Sequence, residues 1–310
     1  MGRHRRKIGL AAAILLSFGA ALASPAINPY YYQILIYIGI NILLAGSLNL
    51  INGFTGQFSL GHAGFMALGA YTSSVITTSL HAAPGSAVNY VLFPAALIAG
   101  GAVAACSGAI VGIPSLRLKG DYLAITTLGF GEIIRVILQN LDFVGGARGM
   151  TGIPKLSDAF WVFGTVGVAI YIISSLIDST YGKGFVAVRD DEIAAQAMGI
   201  NTTKYKVTAF VTGAFFAGVA GGLYAHFVSF ISPTQFGFIK SIEIVVMVIV
   251  GGMGNTVGVI LAAALLTILP EALRSVEQYR MVIYSLMLVV IMISRPQGLF
   301  RKPSRSSASA

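Results

Sequence analysis

The sequence predicts an all-α, polytopic membrane protein of about ten transmembrane helices, eight if residues 239–269 are re-entrant, in one transmembrane domain over 1–310. Three observations predict it. A mean hydropathy of +0.82, with 56% hydrophobic and 10% charged residues, lies outside the range of soluble domains. Several apolar runs are long enough to cross the roughly 30 Å hydrocarbon layer as helices. Lys and Arg are crowded into alternate loops, as the positive-inside rule asks of a chain threaded through a membrane.

The spans follow in order. Ile8–Ala23 comes after the basic head Arg3, Arg5, Arg6 and Lys7, and its Ala-Leu-Ala ending resembles a signal-peptidase site. The reading favoured here is an uncleaved first span with a cytoplasmic amino terminus; cleavage leaves the later orientation unchanged. Tyr30–Ile51 opens on Tyr30, Tyr31 and Tyr32, residues suited to an aromatic interface. A Gly-rich interruption, Asn52–Gly61, precedes the span His62–Leu80. Val91–Ile113 holds the lone Cys106, expected to pack as a small apolar residue. Arg117 and Lys119 mark a turn before Tyr122–Asn140. Leu141–Asp158 is a longer loop carrying Arg148 and Lys155, and Phe160–Ile177 is the next span.

Val207–Ser229 carries two stripes of small residues at four-residue spacing, Gly213, Ala217, Gly221 and Ala214, Gly218, Gly222. Such stripes let helix backbones approach closely in lipid. Ile239–Leu269 is too long for one span, and Gly251, Gly252 and Gly254 divide it into two short helices meeting at a turn. Met281–Ser294 is last, closed by Arg295, Arg301, Lys302 and Arg305. The membrane core is then 8–300 and the basic tail 301–310. Fourteen of the 20 basic residues fall on one side, inferred to be cytoplasmic. Arg148, Lys155, Lys240, Arg274 and Arg280 fall on the other, and Arg135 within a span.

Residues 181–206 are the polar exception, with Lys183, Arg189, Asp190, Asp191, Glu192, Lys204 and Lys206. Charge at this density belongs in water between two spans. Asp190 or Asp191 can cap a helix and Gly199 can stop it. The two turns between them align Ile193, Ala194, Ala197 and Met198 on an apolar stripe. Spacing alone supports equally a solvated connector and a handle for another protein.

Catalytic signals are weak. Gly182-Lys183 is followed by Gly184 rather than Ser or Thr, so there is no phosphate-binding P-loop. His4, His62, His81 and His226 are scattered, without metal-ligand spacing. A net charge of +9 would suggest nucleic acid in a soluble chain, but here the placement of the basic residues points to membrane orientation. Glu132 and Arg135 are three apart within a span, where they can pair; a polar lining and a structural ion pair both fit. Irregular backbone at membrane depth needs a cavity or protein packing around it. The breaks Gly53–Gly61 and Gly251–Gly258 each lie between an aliphatic helix and a small-residue helix, which hints at an internal repeat.

Four blocks carry a resemblance. Asn49–Ala63 (NLINGFTGQFSLGHA), Gly120–Arg135 (GDYLAITTLGFGEIIR), Ala187–Asn201 (AVRDDEIAAQAMGIN) and Arg295–Leu299 (RPQGL) resemble the LivM-type permeases of ABC importers for branched-chain amino acids. They run in order over nearly the whole chain.

The resemblance implies a bacterial inner-membrane subunit that forms half of a pathway for Leu, Ile and Val by alternating access. It implies as partners a related second permease in a heterodimer, two cytoplasmic ATPase subunits that bind ATP and Mg, and a periplasmic binding protein. No cofactor is expected in this chain. A permease loop of the form Glu-Ala-Ala…Gly docks on the ATPase in such importers; here Glu192-Ile193-Ala194-Ala195 precedes Gly199, with the acid displaced by one position. The expected coupling residues are Arg189, Asp190, Asp191, Glu192, Ile193, Ala194, Ala197 and Gly199. Expected to line the pathway are Thr55, Gly56, Gln57, Ser59, His62, Glu132 and Arg135, and the binding protein is expected to meet Arg148 and Lys155. Related permeases for urea or short amides, and carriers driven by an ion gradient, are the rival readings.

Overall fold

In the computed structural model, which describes residues 28–80, 89–115, 120–276, 279–294 and 298–299, every long element is a helix. The expected first span 8–23, the turn with Arg117 and Lys119, and Arg295 and the tail 301–310 lie outside the described residues. Among the described residues, five stretches are long and apolar enough to cross a membrane: Pro29–Phe54, Tyr90–Ser115, Ala159–Ile177, Thr202–Val228 and Pro233–Gly251.

Helix α1 (Pro29–Asn49) starts where the Asn28 side chain accepts from the Tyr30 amide and Pro29 presets the first turn. It widens into one π-helical turn, Leu50–Phe54, where the Gly-rich block begins. The irregular chain beyond is pinned by Asn52, whose Oδ1 accepts from the Ser59 amide at 3.2 Å. Helices α2 (His62–Ser79), α3 (Asn89–Ser115), α4 (Asp121–Asn140) and α5 (Ala159–Ile177) follow, within a residue or two of the expected bounds. Cys106 departs from expectation: it is exposed on an outward face of α3 instead of packed in the core.

Between α5 and the expected short helix lies one that periodicity missed, α6 (Thr180–Asp190). Gly182 and Gly184 lower its intrinsic propensity. Packing overrides that: Gly184 lies flat against the Tyr205 ring, and Phe185 is buried beside Tyr181 and Tyr205. The short helix itself, α7 (Glu192–Ala197), is present at the expected place. Helix α8 (Thr202–Val228) begins earlier than the apolar run, because the Asn201 side chain caps it through the Lys204 amide.

Helix α8 is the central column, and its small-residue stripes explain why. Gly213 faces Ile51 of the π turn, and Gly221 lies against the Met66 carbonyl of α2. The other stripe faces α3, with Ala214 against Gly108 and Gly218 against Gly100, Gly101 and Ala104. Added Cβ atoms would collide with these neighbours, so the contact is backbone on backbone.

Helices α9 (Phe238–Gly251) and α10 (Thr256–Ala272) form the hairpin expected from the glycines. Gly252 and Gly254 take φ of +89° and +80° at its turn, a conformation that favours glycine. Helix α10 runs antiparallel along α1: the Asn49 Oδ1 accepts from the Gly254 amide at one end, and Tyr30 donates to Glu271 at the other. Helix α11 (Arg280–Ser294) is the last among the described residues.

The bundle thus has two chemically different ends. One gathers the two Gly-rich breaks, α6 and α7. The other holds Tyr30, Glu271 and the loop before α5, which is tied to the chain after α8 by paired Met150 and Ile231 backbones at 2.8 and 3.1 Å.

Candidate functional site

At the first end, α7 is a small helix with its apolar face outward. Asp191 caps it, accepting from the amides of Ile193 (2.9 Å) and Ala194 (3.0 Å). Ala195 alone of its side chains is buried against the bundle, while Ile193 and Met198 are 73% and 82% exposed and Ala194 and Ala197 are exposed beside them. Gly199, at φ +80°, ends the helix as expected.

Of the charges around α7, Glu192 and Lys206 turn inward, whereas Asp190 and Asp191 stay exposed. Glu192 is paired with Lys206 of α8 at 2.6 Å, and the Lys206 side chain is only 9% exposed. Arg189 contacts Asp190 at 2.8 Å and donates from Nη1 to the Gly53 carbonyl at 3.4 Å. A Cβ on Gly56 would stand 2.9 Å from the Arg189 Cγ, and one on Gly254 would stand 3.2 Å from its Nη1. Gly53 in turn abuts the Gly254 backbone. One arginine beside the short helix therefore touches both Gly-rich breaks where they meet. The closing block joins them, since the Leu299 amide donates to the Val250 carbonyl at 2.9 Å and Gly298 lies on Gly252.

The structure splits the seven expected lining residues into three groups. Thr55 and Gly56 belong to the Arg189 junction, and the Thr55 hydroxyl donates to its own Ile51 carbonyl at 2.7 Å. Gln57, Ser59 and His62 are buried in the seam between α1, α2 and α4. Both polar atoms of Gln57, the Ser59 Oγ and the His62 Nδ1 have no protein partner. The other ring nitrogen, Nε2, lies 2.8 Å from the Ser47 Oγ, which itself donates to the Leu44 carbonyl at 2.9 Å. That pattern assigns the ring proton to Nε2 and leaves Nδ1 a bare acceptor.

Glu132 and Arg135 form the third group. They pair at 2.7 Å, and the second Glu132 oxygen accepts from the Phe238 amide at the start of α9. They line a cavity of about 650 Å³ together with Lys240 and Glu243. Lys240, expected only as a basic residue on the non-cytoplasmic side, stands within α9 beside Glu243. The Lys240 ammonium contacts Glu243 at 2.9 Å and Asn41 of α1 at 3.4 Å. A second cavity of about 300 Å³ shares Lys240 and Glu243 and adds Tyr37, Asn41, Met66 and Thr267. The i,i+3 spacing of Lys240 and Glu243 was the available signal. Neither cavity is lined by Gln57, Ser59 or His62.

Arg148 and Lys155 lie at the opposite end from α7, both exposed. Lys155 places its ammonium 5.4 Å from the centre of the Phe227 ring. Among the described residues there is no cluster of three or more His, Cys, Asp or Glu side chains able to hold a metal.

Comparison with known proteins gives the family. The family "Branched-chain amino acid transport system / permease component" matches residues 30–292, from the start of α1 to the end of α11. The chain belongs to that family. It is 36% identical over 296 residues to the high-affinity branched-chain amino acid transport system permease protein LivM of Salmonella typhimurium, covering 84% of this chain and 67% of that protein. The probable LivM of Methanocaldococcus jannaschii is 24% identical, covering 86% and 92% of the two chains. The ribose import permease RbsC of Haemophilus influenzae is 25% identical, covering 86% and 87%. No solved structure matches. Family membership and the apolar helices together make this a multi-pass membrane protein.

Proposed function

We propose that this chain forms half of the translocation pathway of an ATP-driven importer for Leu, Ile and Val, and that α7 is where force from separate ATPase subunits enters. The observation that carries the reading is an exposed apolar face (Ile193, Ala194, Ala197, Met198) on a helix braced to α8 and placed beside the Arg189 junction of both breaks. The family match and the LivM relatives support the cargo.

In this reading the α7 end is cytoplasmic, the side on which most basic residues fall. Both termini are cytoplasmic if the first apolar segment stays uncleaved, and the membrane is the bacterial inner membrane. Helix α10 reaches both ends of α1, which supports two spans for α9 and α10 and about ten in all. The pair is short, about 21 and 26 Å at helical rise, so the bilayer is locally thin or the glycine turn lies below its surface. ATP and Mg bind the partner ATPases. Closure of those subunits moves α7; the Glu192–Lys206 pair carries that motion to α8, and Arg189 carries it to the touching glycines Gly53 and Gly254. A related second permease completes the pore. The periplasmic binding protein lands near Arg148 and Lys155, and Gln57, Ser59 and His62 keep polar atoms available to line the path when the seam opens.

The test is uptake by the assembled importer in proteoliposomes. ATP-dependent entry of labelled leucine, competed by isoleucine and valine, is the expected result. Competition by urea or ribose instead would reassign the cargo. Leucine movement by this chain without a nucleotide-binding partner, or labelling of Ile193 from the external medium, would overturn the reading.

A further inference from the structure

The Lys240–Glu243 contact is not itself a tie between helices. Both residues sit on α9, so their 2.9 Å contact ties no two helices together. An i,i+3 pair adds little to helix stability, while two charges in an apolar helix are costly to place. Their surroundings suggest a different use. Lys240 also donates to the Asn41 Oδ1, and the Asn41 Nδ2 donates to the Thr267 Oγ1 at 2.9 Å. A polar chain thus crosses from α9 over α1 to α10. Lys240 and Glu243 border both cavities, the larger with Glu132 and Arg135 and the smaller with an apolar wall of Ile40, Met66 and Leu266. The smaller cavity, about 300 Å³, is at the low end of ligand-pocket sizes.

We propose that Lys240, Glu243 and Asn41 form a transit site in this chain for the zwitterionic head of an α-amino acid, whose aliphatic side chain lies against Ile40, Met66 and Leu266. The inference rests on the transport reading above and deepens it. A free amino acid presents one carboxylate and one ammonium on a single carbon. Its carboxylate replaces Glu243 on the Lys240 ammonium, and its ammonium takes the Glu243 carboxylate together with the Asn41 Oδ1 that Lys240 releases. Charge is balanced before and after, so the exchange leaves no ion unpaired. Both partners are partly exposed in the empty site, with side-chain exposures of 22% and 38%, so they are reachable. Such a site is weak by construction, because the incoming ligand must displace an existing ion pair. Weakness suits transit, where release is as necessary as entry.

The experiment measures binding of leucine, leucinamide and 4-methylpentanoate to the permease–ATPase complex in nanodiscs, with the binding protein left out, by saturation-transfer NMR. Leucine is expected to bind in the millimolar range, and the two analogues, each lacking one charge, about tenfold more weakly or not at all. Lys240→Gln and Glu243→Gln are expected to lose about tenfold in leucine affinity, and Lys240→Arg to restore most of it. A monodisperse complex shows that each variant has folded. No leucine signal in the wild-type complex, equal signals from leucine and leucinamide, or unchanged binding in both Gln variants would each overturn the proposal. Uptake by the complete importer separates this failure from the larger one. Leucine entering normally while none binds the permease removes only the transit site, and leucine failing to enter at all removes the proposed function.

Discussion

The Glu192–Lys206 pair offers the sharpest test of how α7 is held. Replacing Glu192 with Ala leaves the Lys206 ammonium, 9% exposed, without the carboxylate 2.6 Å away, and also removes the Thr202 contact to the same oxygen. Removing one member of a buried pair costs about 3–5 kcal/mol. The Glu192 side chain is 23% exposed, so water offsets part of the loss and the lower end, about 3 kcal/mol, applies. At 1.36 kcal/mol per tenfold, that is roughly a hundredfold shift toward an undocked α7. The change is local and is read by hydrogen–deuterium exchange of the peptide covering residues 192–200 in nanodiscs. Amides of Ala195 and Met198, bonded to the Asp191 and Ala194 carbonyls, are expected to exchange about a hundredfold faster. Adding Lys206→Met removes the stranded charge and is expected to recover most of the protection. Wild-type exchange in Glu192→Ala, or a double variant no better protected than the single one, would refute the claim that this pair braces the helix.

Three further outcomes follow from neighbouring geometry. Glu at both Ile193 and Met198, which are 73% and 82% exposed, is expected to change the stability of the chain by less than about 0.5 kcal/mol while abolishing co-purification with the ATPase subunits; retained co-purification counts against the apolar face as the contact. Gly56→Ala places a side chain at φ +69° and 2.9 Å from the Arg189 Cγ, at a cost of about 1–2 kcal/mol. The protein is expected to insert normally but to transport fewer leucines per ATP hydrolysed, and an unchanged ratio would show that the Arg189 junction carries no motion. Gly218→Val puts its Cβ 2.6 Å from the Ala104 Cβ and 2.9 Å from the Gly100 carbonyl, an overpacking of about 1–3 kcal/mol. A lower thermal midpoint of the detergent-solubilised chain is expected; Val at exposed Val103's neighbour Ala102, on the same α3 but facing outward, should leave that midpoint unchanged.

Much of the architecture was legible because lipid imposes simple rules. Apolar length set the helices from α1 to α5, small residues at four-residue spacing marked α8 as the close-packed column, and three glycines divided α9 from α10. The short helix α7, its Asp191 cap and its Gly199 stop were readable for the same reason, since capping chemistry is local. Helix α6 was not, because Gly182 and Gly184 argue against a helix until the Tyr205 ring is seen lying on one of them. The sequence does not show which charge at α7 meets a partner: Glu192 turns inward because Lys206, fourteen residues away, comes to rest behind it.

What the amino-acid order determined alone is the helical membrane class, the place of the wet segment and the family, all of which depend on local composition or on contiguous motifs. Tertiary structure alone decided that Arg189 meets both glycine breaks, and that Lys240 and Glu243 border two cavities beside Asn41. These contacts join residues from 65 to 199 positions apart, and no local periodicity encodes them. They exist because backbone-on-backbone packing of α8 against α2 and α3, and the side-chain bonds that hold α10 along α1, bring those distant side chains to one place.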